Sequence, residues 1–307
     1  LMALIPNQIT YADAAANIGA VSLTGKVSRS SAMAQADAAL REAKTAGSNT
    51  NRIFDAITGQ NVAIGRLAWK EMLEYAIEHQ SFILRKQKVI LFEDSSVMHE
   101  EVFASLEYQG KQYHAGYFIG LAEQFDLGDQ LDKVIILRVI DFIIRREASL
   151  QSPLAINLST SAFTKPSFID WLDSTLQGLT GAVRKKLIFE VSEQSVLAAE
   201  EQIIRLSKVL QKNGVLLGID NVGKQFTTFH YLQLLLPDYV KVDPSYTKMA
   251  TGKESESFFM HILCKMFSSL NIQVVATGIE SPQQLSRLEK FDIAAGQGFI
   301  VNQAQDM

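Results

Sequence analysis

The sequence feature that most constrains the fold is a short apolar run that ends in polar side chains, and it occurs five times. Residues 215–217 lead into Gly-Ile-Asp-Asn-Val-Gly at 218–223, in which Asp220 and Asn221 stand side by side. The other four runs end at Asn157, at Glu190, at Lys241 with Asp243, and at Thr277 with Glu280. Buried parallel strands are apolar and carry functional groups at their carboxyl ends, so the pattern predicts one polar rim. Five ordinary strands with polar turns are the simpler alternative.

Strand-like and helix-like segments alternate from Phe82 to the end of the chain. Strands are expected at 83–92, 101–108, 153–158, 186–191, 215–220, 239–243, 272–277 and 296–301. Helices are expected between them, notably at 129–147, 196–213, 256–270 and 282–290. Eight strands with intervening helices predict an α/β fold, a (β/α)8 TIM-like barrel, with its site at the carboxyl ends of the strands.

Composition excludes several classes of protein. The chain has 307 residues, a formal charge of −4 and a pI of about 5.8, so no basic surface for duplex nucleic acid is expected. One cysteine, Cys264, excludes an internal disulfide and suits a reducing compartment. The longest apolar run, 134–144, is too short to span a bilayer. The start at Leu1-Met2 suggests an excised fragment, which leaves room for a membrane anchor upstream.

The first 58 residues predict a small separate unit, with strands at 1–6 and 18–23 and a helix at 30–46. Residues 36–49, Ala-Asp-Ala-Ala-Leu-Arg-Glu-Ala-Lys-Thr-Ala-Gly-Ser-Asn, resemble the last helix of GGDEF domains. The Gly-Gly-Asp/Glu-Glu-Phe signature of that family is absent, so the resemblance does not imply cyclase activity. The unit is therefore expected to be a partial, degenerate GGDEF-like domain at 1–58, with an α+β fold.

A connecting helix is expected within 59–81, most clearly at 62–80. Ala68, Met72 and Ala76, with Trp69 and Leu73, form a broad apolar stripe at helical spacing. Two interpretations stay open: a helix that packs on its own domain, and a signalling helix that packs against either neighbouring domain.

Four strand ends carry oxygen donors, namely Glu101, Asn157, Glu190 and Asp220. Such a set suits Mg²⁺, Mn²⁺ or Ca²⁺ better than a soft metal. Lys241 would either orient a water molecule or form a structural ion pair with Asp243 or Asp220. His99 is expected at the surface.

Two glycines also stand at the predicted rim. Gly223 is expected in a tight turn, and the Gln297-Gly298 pair would let a ligand approach the backbone closely.

Residues 82–307 resemble the EAL domain, the cyclic-di-GMP phosphodiesterase family, across the whole predicted barrel. Glu101-Val102-Phe103 stands in place of Glu-Ala-Leu, and Gln87 matches the Gln-Pro-Ile-Val segment with Lys88 in place of proline. The other matching segments, in chain order, are Phe118-Ile119 with Ala122-Glu123, Asn157-Leu158-Ser159, Glu190-Val191-Ser192-Glu193, Lys241-Val242-Asp243 and Gln297-Gly298-Phe299.

The departures from that family concern the second of its two metal ions. Asn221 replaces the second aspartate of Asp-Asp-Phe-Gly, and Thr277 replaces the glutamate of Ala-Glu-Gly-Val-Glu. Ser105 stands where an arginine follows the Glu-Ala-Leu signature. A two-metal hydrolase holds the attacking and leaving oxygens between its ions, so these losses imply a nucleotide pocket without hydrolysis. No residue is therefore assigned as catalytic, and no metal is required.

The resemblance extends to degenerate GGDEF–EAL receptors of the LapD type, through residues 223–226 and 238–243. It implies a non-catalytic cyclic-di-GMP receptor, the cytoplasmic part of an inner-membrane protein that controls biofilm adhesion. Expected partners are cyclic-di-GMP, a second copy through the barrel, and an output protein or protease. The alternatives are a weak phosphodiesterase that uses Mg²⁺ or Mn²⁺ to make linear pGpG, and an interaction module with an empty pocket. The expected ligand-binding residues are Gln87, Glu101, Phe103, Asn157, Glu190, Asp220, Asn221, Lys241, Thr277, Glu280 and Gln297.

Overall fold

The structure is a computed structural model that describes residues 17–22, 29–45, 51–55, 66–108, 110–224, 229–249 and 254–307. The chain divides into two compact units, Leu1–Tyr75 and Ala76–Met307. The predicted domain limits at 58/59 and 81/82 are a finer division and stay predictions.

The first unit contains two parallel strands and a helix. Strand β1 (Ile18–Ser22) pairs with β2 (Asn51–Asp55) in register from Ile18↔Asn51 to Ser22↔Asp55. Helix α1 (Arg29–Thr45) connects them and buries Ala39 and Ala43. The predicted strand at 18–23 and helix at 30–46 are confirmed to within a residue, whereas the predicted strand at 1–6 lies outside the described residues.

Helix α2 (Arg66–Glu78) runs through the boundary between the two units. It buries Trp69, Met72, Leu73 and Ala76, which recur every three or four residues and confirm the predicted apolar stripe.

The second unit alternates strands with helices. Its strands are β3 (Ile83–Leu91), β4 (Val97–Tyr108), β5 (Lys111–His114), β6 (Leu154–Asn157), β7 (Leu187–Ser192), β8 (Leu216–Val222), β9 (Tyr239–Val242), β10 (Gln273–Ala276), β11 (Ala295–Gly296) and β12 (Gln305–Asp306). Its helices are α3 (Ala115–Gln124), α4 (Gly128–Arg146), α5 (Thr160–Phe163), α6 (Pro166–Gln177), α7 (Gly181–Arg184), α8 (Glu193–Ala198), α9 (Glu200–Asn213), α10 (His230–Leu235), α11 (Pro244–Met249), α12 (Glu254–Ser269) and α13 (Pro282–Leu288).

Eight of these strands close into a barrel, in the order β3-β11-β10-β9-β8-β7-β6-β4 and back to β3. Strands β4 and β6 to β11 run parallel to their neighbours in that series, whereas β3 is antiparallel to both β4 and β11. The predicted TIM-like barrel is confirmed. Alternation of apolar residues carries no information on strand direction, which is why the reversed β3 was not foreseen.

The last barrel strand is shorter than predicted. Only Ala295 and Gly296 pair as β11, and the chain then turns instead of continuing as a strand to 301. At Gly298 a Cβ atom would lie 2.2 Å from the carbonyl oxygen of Ile279. The glycine is therefore needed for contact with the neighbouring backbone, and the predicted close approach of a ligand there stays untested.

Side chains from alternate positions of the strands fill the barrel below its rim. One buried cluster consists of Val89, Ala155, Ile188, Tyr239, Val275 and Ala295. Outside the barrel, α9 buries Ile203, Leu206 and Leu210 and ends at Gly214, whose φ of 68° suits glycine. No helix in the described segments is long and apolar enough to cross a membrane.

Candidate functional site

The polar strand ends meet at the carboxyl edge of the barrel. Glu101, Asn157, Glu190, Asp220 and Lys241 belong to five consecutive strands of the ring, β4, β6, β7, β8 and β9. Register places Asn157 opposite Glu190, and Glu190 opposite Gly218. Parallel strands end at the same edge, so side chains far apart in sequence form one cluster.

Lys241 lies at the centre of this cluster. Its Nζ is 2.6 Å from Glu101 Oε2, and 2.6 and 2.8 Å from Glu190 Oε1 and Oε2. All three side chains are buried. The structural ion pair that was one of the two predictions for Lys241 exists, but its partners are these two glutamates and not Asp243 or Asp220.

Amide side chains complete the surroundings of Glu101. Asn157 donates from Nδ2 to Glu101 Oε1 at 2.7 Å, and Gln297 donates from Nε2 to Oε2 at 2.8 Å. Gln297 also lies 3.2 Å from Gln87 Oε1, and Gln87 Nε2 donates to the carbonyl of Asn302 at 2.6 Å. Both oxygens of Glu101 are therefore engaged by N–H donors.

Burial and neighbouring charges shift the pKa values of two carboxyl groups of the site, Glu190 and Asp220, in opposite directions. Burial raises the pKa of Glu190, but the charge of Lys241 and the contact with His99 outweigh it and lower the pKa to about 2. Burial lowers the pKa of Lys241, yet attraction to Glu101 and Glu190 raises it well above the ordinary value for lysine. Burial, together with repulsion from the two glutamates, raises the pKa of Asp220 to about 7.

Asp220 and Asn221 form the next part of the rim. Asn221 Nδ2 donates to Asp220 Oδ2 at 2.6 Å, and the backbone of Asn221 is left-handed, with φ of 57°. Asparagine tolerates that conformation better than most residues. Gly223 has φ of 89°, and a Cβ there would lie 2.6 Å from the ring of Tyr246, which confirms the predicted tight turn.

Eight of the eleven predicted ligand-binding residues belong to this cluster, and three stand apart from it. Thr277 donates from Oγ1 to the carbonyl of Val242 at 2.7 Å. The side chain of Glu280 is exposed, and its backbone N–H donates to Gln284 Oε1. Phe103 is exposed on the strand face of Glu101, two residues nearer the carboxyl end.

Two aromatic side chains under the cluster were missed. Tyr239 OH donates to Glu190 Oε1 at 2.5 Å, and the Tyr239 ring stacks on His99 with centroids 4.9 Å apart. His99 is buried, which makes the prediction of a surface histidine wrong. The usable signal was alternation, because Tyr239 and His99 each lie two residues before a site residue, Lys241 and Glu101.

The arrangement does not fit a bound divalent cation. Glu101, Asn157, Glu190 and Asp220 are oxygen donors of the kind that Mg²⁺ prefers, but N–H donors engage the oxygens of the two glutamates. The described segments contain no group of three or more His, Cys, Asp or Glu side chains that could hold a metal. The Lys241 ammonium would have to leave before a cation entered between the glutamates.

Fold and site together define a class, the β/α-barrel proteins with a charged site at the carboxyl rim. Residues 70–304 match the EAL domain family, so the chain belongs to the EAL domain family.

Solved structures show the same relationship. A Vibrio cholerae LapD fragment described as S helix-GGDEF-EAL, bound to c-di-GMP, aligns with a TM-score of 0.82 and 28% identity, covering 92% of this chain and 68% of that one. The apo form of the fragment aligns with a TM-score of 0.74.

Among curated proteins, the probable cyclic di-GMP phosphodiesterase PdeG of Escherichia coli is 27% identical over 243 residues, or 75% of this chain and 46% of PdeG. The RNase E specificity factor CsrD of Escherichia coli is 23% identical over 90% of this chain and 42% of CsrD. The chain thus spans less than half the length of these two curated relatives.

Proposed function

We propose that the barrel is a receptor that binds cyclic-di-GMP at its carboxyl rim and does not hydrolyse it. The observation that carries this proposal is the Asp220–Asn221 pair, in which Asn221 Nδ2 donates to Asp220 Oδ2 at 2.6 Å where the family pattern has a second aspartate. Thr277 adds to it, because its hydroxyl donates to the carbonyl of Val242 where the family pattern has a glutamate. The likeness to LapD, solved with and without c-di-GMP, supports the same ligand.

In this proposal the cluster residues and the rim aromatic have separate roles. Gln87, Asn157 and Gln297 supply amides that match the donors and acceptors of guanine edges. The exposed Phe103 ring offers a face on which a base stacks. Glu190 and Lys241 hold this surface in place. Asp220 and Asn221, from β8, and Thr277 and Glu280, from the segment after β10, border the ligand on the other side.

A binding measurement tests the proposal. Calorimetry with cyclic-di-GMP should show one binding site on the wild-type chain. Asn157→Ala should weaken binding about tenfold to a hundredfold, which corresponds to one lost polar contact of about 1–3 kcal/mol. Asn213→Ala, on α9 outside the barrel, is the matched control. An Asn157 variant that binds as tightly as wild type would place the ligand elsewhere.

Occupancy is proposed to change the arrangement of domains or copies. The exposed Phe258, Phe259 and Ile262 of α12 form an apolar surface on the barrel unit that suits a second copy. A ligand shifts such an equilibrium only if it binds two states differently. Sedimentation and solution scattering should therefore change when cyclic-di-GMP is added. Tight binding with no change in either would remove this part of the proposal.

A weak phosphodiesterase is the second candidate. The oxygen donors Glu101, Asn157, Glu190 and Asp220 are all present at the rim, and PdeG is described as a probable phosphodiesterase. This candidate requires the Lys241 ammonium to move away from the glutamates, and it predicts linear pGpG as the product.

A further inference from the structure

The buried cluster of Lys241, Glu101 and Glu190 offers no unpaired positive charge to an anionic ligand. Its one ammonium, Lys241, is engaged by the carboxylates of both Glu101 and Glu190. Asp220 adds another carboxyl group at the same edge. A cyclic dinucleotide brings two phosphodiester charges, and a guanidinium or ammonium at the mouth of the site would bind them more strongly than neutral donors.

The barrel strands, all of which are described, carry four arginine and lysine residues: Arg85, Lys86, Lys88 and Lys241. Lys86 and Lys88 flank Gln87 in β3 and therefore point to the outer face of the barrel, where Lys86 contacts Glu100 at 2.7 Å. Arg85 is two residues from Gln87 and shares its face. Of the two inward-facing cations on these strands, Lys241 pairs with Glu101 and Glu190, whereas Arg85 does not.

Arg85 also lies at the level of the barrel where a ligand would enter the site. In the β3–β4 pair, Gln87 lies opposite Glu101, and Arg85 lies opposite the exposed Phe103. Arg85 is therefore one step further out than the polar cluster, level with the aromatic ring at the mouth.

The present partner of Arg85 is an exposed carboxylate. Its Nε donates to Asp306 Oδ1 at 2.8 Å, and the two side chains are 38% and 78% exposed. Asp306 reaches this place because β12 pairs with β3 and sets Asp306 opposite Arg85. An ion pair this exposed contributes little net stability, so an incoming anion can replace the carboxylate.

We propose that Arg85 binds a phosphodiester group of the ligand, and that Asp306 occupies the guanidinium in the free protein as a competing anion. This inference rests on the proposed function and names a subsite of it. The planar guanidinium suits two phosphate oxygens at once. Ligand binding then exchanges the Arg85–Asp306 pair for an Arg85–phosphate pair, which frees Asp306.

The test is calorimetry with cyclic-di-GMP at several salt concentrations. Arg85→Ala should weaken binding about tenfold to a hundredfold and reduce its dependence on salt. Asp306→Ala removes the same ion pair but keeps the cation, and should bind as tightly as wild type or tighter. Arg205→Ala breaks the exposed Arg205–Asp170 pair of α9 and α6, at 2.6 Å, and should change nothing.

Each outcome has a separate meaning. If wild type does not bind cyclic-di-GMP, the proposed function fails and the subsite with it. If wild type binds and Arg85→Ala binds equally well, the subsite alone is wrong. If Asp306→Ala weakens binding as much as Arg85→Ala, the ion pair matters only because it docks β12, which also overturns the assignment.

Discussion

Lys241 and Glu101 form a buried ion pair, with Nζ 2.6 Å from Oε2, although 140 residues separate them in the sequence. Glu190 shares the same ammonium from β7, the middle one of the three strands between β4 and β9 in the ring. One ammonium is thus shared by two carboxylates, and the three groups lie on three strands of the ring.

Removing the ammonium should destabilise the barrel. Lys241→Met leaves Glu101 and Glu190 buried without a cation, which typically costs about 3–5 kcal/mol. The midpoint of urea unfolding should fall accordingly, while Lys208→Met, at an exposed position on α9, should leave it unchanged. Adding Glu190→Gln to Lys241→Met should recover part of the loss. A midpoint for Lys241→Met equal to wild type would show that the pair contributes nothing.

Asp132 should make stability depend on pH. Its buried carboxyl on α4 accepts from the N–H and Oγ of Ser159 at 2.8 and 2.9 Å, and burial raises its pKa from 3.8 to about 7. The folded pKa exceeds the unfolded one, so this stabilising contribution is complete below about pH 4 and is lost as the pH rises to about 7. Asp132→Asn keeps an acceptor and cannot ionise.

The check is the urea midpoint at several pH values between 4 and 8. The wild-type midpoint should fall, relative to that of Asp132→Asn, as the pH rises through this window. Asp141→Asn, at an exposed site on the same helix, is the control and should follow wild type. Parallel curves for wild type and Asp132→Asn would contradict the assignment.

Restoring an acid at Asn221 should create a dependence on divalent cations. Asn221→Asp replaces the amide donor to Asp220 with a second carboxylate, so the variant should lose about 1–2 kcal/mol in chelator. Mn²⁺ should return that stability in a thermal melt. Asn271→Asp is a close control, because Asn271 has the same φ of 57° at an exposed position. Equal responses of the two variants to Mn²⁺ would refute this prediction.

The turn after β8 should not tolerate a side chain. Gly223→Ala introduces a Cβ 2.6 Å from the Tyr246 ring at φ of 89°, so we expect a loss of at least about 1–3 kcal/mol. Gly120→Ala in α3 meets no atom within 4 Å and should stabilise the helix by about 0.5–1 kcal/mol. Denaturant unfolding of both variants distinguishes strain at this turn from a general cost of adding a methyl group.

The barrel was predictable because its signals are local. Apolar runs ending in Asn157, Glu190 and Asp220 mark strands whose carboxyl ends must share an edge once they pair in parallel. Eight of the polar residues that the family motifs indicated lie together in one cluster, Gly223 lies at a turn, and the ligand-binding role of the eight stays a prediction.

Features set by contacts between distant strands were not predictable. The partners of Lys241 come from β4 and β7, whereas the local sequence offered only Asp243 and Asp220. His99 is buried because β4 begins at Val97, four residues before the predicted start. The predicted helix start at 196 is wrong. Ala199, with φ of −146°, separates α8, which ends at Ala198, from α9, which begins at Glu200.

Arg85 shows how alternation could have added to the prediction. It lies two residues before Gln87, as Tyr239 precedes Lys241 and His99 precedes Glu101. Extending each recognised motif by two residues along its strand would have found all three.

Binding without hydrolysis is tested most directly by incubating the chain with cyclic-di-GMP and either Mn²⁺ or Mg²⁺, followed by chromatography of the nucleotide. Calorimetry on the same sample establishes that the site is occupied. A receptor without hydrolase activity should leave the bound dinucleotide intact after many times the turnover period of an active phosphodiesterase. Accumulation of linear pGpG beyond one equivalent of protein would contradict it and favour the hydrolase.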